Sequence, residues 1–281
     1  MNSYLKYKFY ICENSSYSYV DGIESLEIQK NFSIDNNYFL GGIKSLSSPN
    51  AASELSFSIQ RSLINCDQLF KYTGDLGLYT SSLFDGFKYY NIEGFSYLQK
   101  YSANFTIGDL PKINYQFINY GNFNLGDKFS NGNITTTNTI GNTQLPQNSY
   151  SMPSIIQLSG ITLSGFPYTD FSINSIQYSA TINRSPLYSI GNMYPDKIHT
   201  IMPINIDMSI SAKIKDENLN SIRTNHYNSL ASNLNFEVYL KNSNSTQCFP
   251  IKNAQLVGTN LNIQNSTVPD IVLNFKGFYG I

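Results

Sequence analysis

PINIDMSISAKIK, residues 203–215, alternates without a slip: Ile204, Ile206, Met208, Ile210, Ala212 and Ile214 fall on one side, Asn205, Asp207, Ser209, Ser211 and Lys213 on the other. A period of two is the repeat of a β-strand, whose successive side chains point to opposite faces, so this stretch predicts a strand with one dry and one wet face. ELSFSIQRSL, residues 54–63, has the same design, with Leu55, Phe57, Ile59 and Leu63 dry and Glu54, Ser56, Ser58, Gln60 and Ser62 wet. Two more segments follow suit. In one, Leu26, Ile28 and Phe32 alternate with Ser25, Glu27, Gln29 and Asn31; in the other, Ile176, Tyr178, Ala180 and Ile182 alternate with Ser175, Gln177, Ser179 and Thr181.

These four segments are two pairs. IESLEIQKNFSIDNNYFLGG (23–42) lies over INSIQYSATINRSPLYSIGN (173–192) without a gap, matching Ile23 to Ile173, Ser25 to Ser175, Tyr38 to Tyr188 and Gly41 to Gly191. Residues 54–63 lie over 205–214, and LPKINYQFINY (110–120) over VPDIVLNFKGF (268–278) at Pro111 and Pro269. Alternation alone occurs in any β protein, but three blocks in one order point to an internal duplication. The expected organisation is an N-terminal arm (1–22), a first domain (23–121), a linker or arm (122–160) and a second domain (161–281). The linker's density of Asn, Gly, Thr and Ser cannot fill a core. A helix is expected within DENLNSIRTNHYNSLASN (216–233), where Asp216 can cap and Leu219, Ile222, Tyr227 and Leu230 share a stripe. In the first copy Gly74 and Gly77 interrupt the corresponding stretch, which predicts a shorter helix at most. Closing strands are expected at 103–107 and 113–120, and at 260–264 and 271–278.

Composition narrows the function. The 281 residues carry 18 basic and 19 acidic side chains, a formal net charge of -1, and only 13% are charged. Such a balance does not suit a broad grip on phosphate backbones, which needs a basic surface. Three cysteines (Cys12, Cys66, Cys248) are too few and too scattered for a disulfide framework or a four-ligand zinc site. No apolar run reaches the roughly 20 residues of a membrane helix, and MNSYLKYKFYICENSSYSY lacks a signal-peptide core, so a soluble protein made in a cytoplasm is expected. The Asn-x-Ser/Thr triplets at Asn14, Asn104 and Asn265 carry no weight in so Asn-rich a chain.

Catalytic or metal constellations are sparse. His199 and His226 have no second His or Cys at ligand spacing, and no GxGxxG, Walker loop, HExxH or GxSxG string occurs. Asp67, Asp75 and Asp85 lie among turn residues, where Asp serves the backbone. The 22 tyrosines fit sheet packing more readily than a glycan site. The expectation is no enzyme, no metal and no cofactor.

SINSIQYSATINRSPLYSIGN followed by PINIDMSISAKI, an alternating strand running into a polar kink and a Gly, resembles bacteriophage tail tube proteins, and the first copy looks like a degenerate version of the same pattern. The likeness spans most of the chain through pattern more than identity. It implies a mostly β fold with short helices, two tandem β-sandwich or barrel tube-like domains from an internal duplication, and long strands that join those of neighbouring copies into stacked rings. Rings would hold three chains if both domains lie in one layer, or six if the domains stack along the axis; the first is preferred. Ring closure also answers a physical need, since unblocked strand edges must pair with something. The wet faces would then line the bore: Ser25, Glu27, Gln29, Asn31, Glu54, Ser56, Ser58, Gln60, Ser175, Gln177, Ser179, Thr181, Asn205, Asp207, Ser209 and Ser211. Their hydroxyls, amides and few acids would let DNA pass unbound. The location implied is a virion tail. The implied partners are other copies of the chain and further tail proteins: a possible sheath, a baseplate, a terminator and a tape measure protein. Residues 1–22, the 122–154 arm and the turns after Gly41 and Gly191 are candidates for contacts between rings. A baseplate hub or tube initiator is the alternative within that setting, and a glycan- or receptor-binding β-sandwich the alternative outside it.

Overall fold

The structure is a computed structural model that describes residues 8–279 apart from 14–15, 32–33, 39–44, 50–53, 64–66, 68, 74–76, 79, 85–88, 93, 107–108, 121–122, 127–153, 160–170, 191–193, 215–233, 242–245 and 263–268. Its strands are β1 (Lys8–Glu13), β2 (Ser16–Val20), β3 (Ile23–Asn31), β4 (Ile34–Tyr38), β5 (Ser45–Pro49), β6 (Glu54–Ser62), β7 (Thr80–Phe84), β8 (Tyr89–Ile92), β9 (Ser96–Thr106) and β10 (Lys112–Asn119). They continue with β11 (Phe123–Gly126), β12 (Ser154–Ser159), β13 (Phe171–Thr181), β14 (Arg184–Leu187), β15 (Lys197–Thr200), β16 (Ile204–Ile214), β17 (Leu234–Lys241), β18 (Thr246–Asn262) and β19 (Asp270–Tyr279). The fold is mostly β, as the alternation predicts. The described helical structure is one 3-10 turn, Phe70–Thr73, within the stretch where a short helix was expected. The helix expected over 216–233 lies outside the described residues, as do most of the expected linker and the turns at Gly41 and Gly191.

A ten-stranded antiparallel sheet, ordered β12-β17-β18-β19-β16-β13-β9-β10-β6-β3, runs through both halves of the chain. Eight of these strands fall into two blocks of the same internal order, β18-β19-β16-β13 and β9-β10-β6-β3. Registers agree as well. Ser25 faces Gln60 as Ser175 faces Ser211. Lys112 faces Ser62 and Asn104 as Asp270 faces Lys213 and Asn262. Even the irregularities coincide, with the register shifting between Ile23 and Ser25 and again between Ile173 and Ser175. Leu63 N–H donates to the Pro111 carbonyl at 2.8 Å, and Ile214 N–H to the Pro269 carbonyl at 2.9 Å. The blocks join head to tail where β13 pairs with β9.

Strict alternation decides what the sheet buries. Along β16 every Ile, Met and Ala is buried, and the polar residues between them are exposed or half-exposed. Two covers lie on the dry side. Over the first block sits a five-stranded sheet, β11-β8-β7-β1-β2, whose Phe9, Ile11, Val20 and Ile92 join the main core, with Phe9 and Phe57 ring centroids 6.3 Å apart. β1 and β2, which lie within the segment expected as an arm (1–22), are therefore part of this sheet packing. Phe9 and Ile11 already share one strand face in the sequence, and a half-apolar ribbon is stable only against another apolar face. β11 and β12 likewise lie within the segment expected as a linker and pair with β8 and β17.

The second cover is built by a bend in β18. Its first half pairs with β17 up to Ala254, and its second half pairs with β19 from Lys252 to Asn262. At the corner Asn253 takes a positive φ of 49°, a conformation Asn tolerates, and its N–H donates to Asn235 Oδ1 at 3.0 Å. The bent strand passes so close to β19 that a Cβ on Gly277 would meet Ile251 Cγ1 at 2.6 Å and the Lys252 carbonyl at 2.8 Å. Phe249, fully buried, thereby reaches Phe105, Phe70, Tyr178 and Tyr101 with centroid separations of 5.0, 5.2, 5.5 and 6.1 Å. This aromatic cluster packs under the β9–β13 joint.

Candidate functional site

Two candidates from the sequence, Asp67 and His199, can be placed. Asp67 lies in the core, where its Oδ1 accepts from Tyr115 Oη at 2.6 Å and Leu69 N–H at 3.1 Å, and its Oδ2 from Tyr101 Oη at 2.9 Å. Burial raises its carboxyl above the ordinary value, and the hydrogen bonds and nearby Arg61 only partly oppose this. Arg61 occupies a dry-face position of β6 that the alternation would give to an apolar residue. It is 1% exposed, donates to Asp21 Oδ1 at 2.6 Å and stands 3.8 Å from Asp67. A charge held in this way organises the core and offers nothing to a substrate. His199 is exposed on β15; Asp75, Asp85 and His226 lie outside the described residues. Among the described residues no group of His, Cys, Asp and Glu is placed to hold a metal ion, and no helix is long and apolar enough to cross a membrane.

The wet face is the larger feature. Residues named from the alternation of β3, β6, β13 and β16 all lie on strands of the main sheet, and their registers bring them into rows. One row crosses all eight strands: Ser25, Gln60, Asn114, Ser102, Ser179, Asp207, Lys276 and Gln255. A neighbouring row carries Ser62, Lys112, Asn104, Gln177, Ser209 and Asn274. The face is concave over the joint between the blocks, where a cavity of about 380 Å³ is bounded by Ser102, Asn104, Gln177, Ser179, Asp207 and Lys276, among others.

Strands β9, β10 and β19 add residues to this face that the sequence reading did not name, and they change its charge. Lys276 Nζ stands 4.0 Å from Asp207 Oδ1, and Lys112 Nζ 3.5 Å from Glu24 Oε2. The Ser62 hydroxyl, at 2.5 Å, holds the Glu24 carboxyl below its ordinary value, and Lys112 adds to this. Of the expected acids, Asp207 thus stands beside a lysine from an adjacent strand, and Glu24 beside another, leaving a polar face that mixes both signs. The signal was legible: KINYQFIN (112–119) alternates Lys112, Asn114 and Gln116 with Ile113, Tyr115 and Phe117.

At one end of the sheet the hairpin of β14 and β15 folds back, with Ile198 packing on Ile118, Tyr120 and Tyr97. Arg184 fastens it. Its Nε and Nη2 donate to the Leu98 carbonyl at 3.2 and 3.0 Å, Nη2 to the Tyr72 carbonyl at 3.1 Å, and Nη1 to Thr200 Oγ1, while the guanidinium lies 5.6 Å from the Tyr97 ring centre. One side chain of the β14–β15 hairpin thereby grips two backbone carbonyls, on β9 and on the 3-10 turn. Beyond it Leu187, Tyr188, Ile190, Tyr194, Ile201 and Met202 are all exposed, which concentrates apolar surface at this hairpin.

Comparison of the chain with protein-family models finds no match, and comparison with curated proteins finds none either.

Proposed function

We propose that this chain is a structural ring-former of the bacteriophage tail-tube kind. Three copies close their sheets into one ring, rings stack, and DNA passes through the polar bore. The observation that carries the reading is the head-to-tail repetition of one four-stranded block within a single sheet, which we attribute to a tandem duplication. A block that joins its own repeat through β13 and β9 presents, at the two ends of the pair, the same kinds of edge it has just used. Propagating that joint closes a ring, which removes open edges. Because both blocks lie side by side in one sheet, they occupy one layer, which favours three chains per ring over six.

The concave wet face then surrounds the axis. Neutral hydroxyls and amides, with lysines beside acids, give phosphates few unopposed cations to settle on. Exposed apolar residues at the β14–β15 hairpin lie away from that face's central rows and supply surface for the next ring. The assembled object is a passive conduit.

Imaging of the purified chain tests this. Long regular tubes built from three-chain layers are the expected result. Closed rings that never lengthen would reassign the protein to a hub or initiator. A stable monomer that binds glycans would overturn the reading.

A further inference from the structure

We infer that the joint between copies is a strand pairing of β3 in one chain with the second half of β18 in the next, in the register that the internal β13–β9 joint already displays. It deepens the ring reading and rests on it.

The internal joint is the template. Gln177 faces Asn104, Tyr178 faces Ala103, Ser179 faces Ser102, and Ala180 faces Tyr101. β3 occupies in its block the place of β13, with Ser25 where Ser175 stands, and β18 occupies the place of β9, with Asn262 where Asn104 stands. Transferring the register puts Glu27 opposite Asn262 of the next copy, Ile28 opposite Leu261, Gln29 opposite Asn260 and Lys30 opposite Thr259. Glu27 and Gln29 meet wet residues, and Ile28 meets Leu261 on the dry side; Lys30 and Thr259 take the dry-side places of the buried Ala180 and Tyr101, so at that end the joint between copies is polar where the internal one is apolar.

Three features of this chain fit such a partner. Among the described residues β3 ends the strand order of the large sheet and β17 follows β18 only as far as Ala254, so no described strand pairs with the outer side of β3 or with that side of β18 beyond Ala254. The β18 side carries the same irregularity as its counterpart: the register on β10 skips Gln99 in β9, and the register on β19 skips Val257 in β18. In the internal joint that bulge is used, since the Gln99 carbonyl accepts from Ile182 N–H at 2.8 Å. Burial differs where the joint is missing. Ile176 and Tyr178 are 0% and 1% exposed beneath the internal joint, whereas Leu26 and Ile28, their equivalents in β3, are only partly buried, and Val257 is 52% exposed. A second copy is the occupant because β3 and β18 lie at opposite ends of the eight-strand run within one chain.

Cysteine cross-linking tests the register. In the full chain, Glu27→Cys with Asn262→Cys places two thiols at facing positions of one face, within reach of a disulfide. Mild oxidation is expected to give covalent dimer and closed trimer on a non-reducing gel, with the 27–262 peptide pair found by mass spectrometry. Glu27→Cys with Asn260→Cys, shifted by one pair on the same face, is expected to cross-link at least tenfold less, and the parent chain marks the background from its own cysteines. Light scattering on the same samples separates the two ideas. Oligomers that form but cross-link preferentially through 27–260, or through neither pair, overturn the joint and leave the ring reading standing. A chain that stays monomeric at every concentration overturns both.

Discussion

Replacing Arg184 by Ala should loosen the attachment of the β14–β15 hairpin to β9 and the 3-10 turn. The guanidinium supplies three hydrogen bonds to the carbonyls of Leu98 and Tyr72, on residues that are themselves buried, and it lies against Tyr97. Truncation leaves two acceptors short of partners at about 1–3 kcal/mol each, and loses a cation–π contact of about 0.5–1 kcal/mol. Arg184 is only half-buried, so water re-solvates part of the gap, and the expected loss is about 3 kcal/mol. For a chain of this size that lowers Tm by roughly 6–12 °C. Arg184→Lys keeps the charge but not the fork, and should fall about midway between the two. Calorimetry reads the shift. Amide hydrogen exchange should also speed up in β14, β15 and the Leu98 region of β9 before it does elsewhere. An alanine variant that melts within about 2 °C of the parent, with unchanged exchange at those sites, would refute the claim that this side chain fastens the hairpin.

Three other outcomes follow from the same coordinates. Gly277→Ala forces a Cβ against Ile251 and the Lys252 carbonyl and should cost about 1–3 kcal/mol in urea denaturation; a neutral result would mean that β18 does not press on β19 at its corner. Burial raises the Asp67 carboxyl, so between its ordinary and raised values the folded chain holds a proton that the unfolded chain has released. Stability should therefore fall as pH rises through that window, and Asp67→Asn should flatten that part of the curve; an identical curve for the variant would show that Asp67 does not titrate there. Placing lysines at Ser209 and Ser211, mid-strand on the wet face, should leave assembly intact and slow DNA release, and normal release from particles carrying the lysines would remove those positions from the bore.

The sequence alone determined the long alternating strands β3, β6, β13 and β16 and their faces. Period-two alternation through 203–215 and 54–63 is a local property, because a strand's geometry alone sends successive side chains to opposite sides, and the burial of β6 and β16 follows it residue by residue. It failed locally at Arg61, whose burial depends on Asp21 and Asp67, distant in sequence and near in space. Only the tertiary structure decided how strands adjoin. That Lys276 stands beside Asp207 and Lys112 beside Glu24 depends on register between segments far apart in the chain, which alternation does not encode. The same holds for the β13–β9 joint, which sets the two four-stranded blocks side by side in one sheet, and for the bend at Asn253, which laid Phe249 over the dry side. Pattern assigns each residue a face; long-range pairing alone chooses its neighbours.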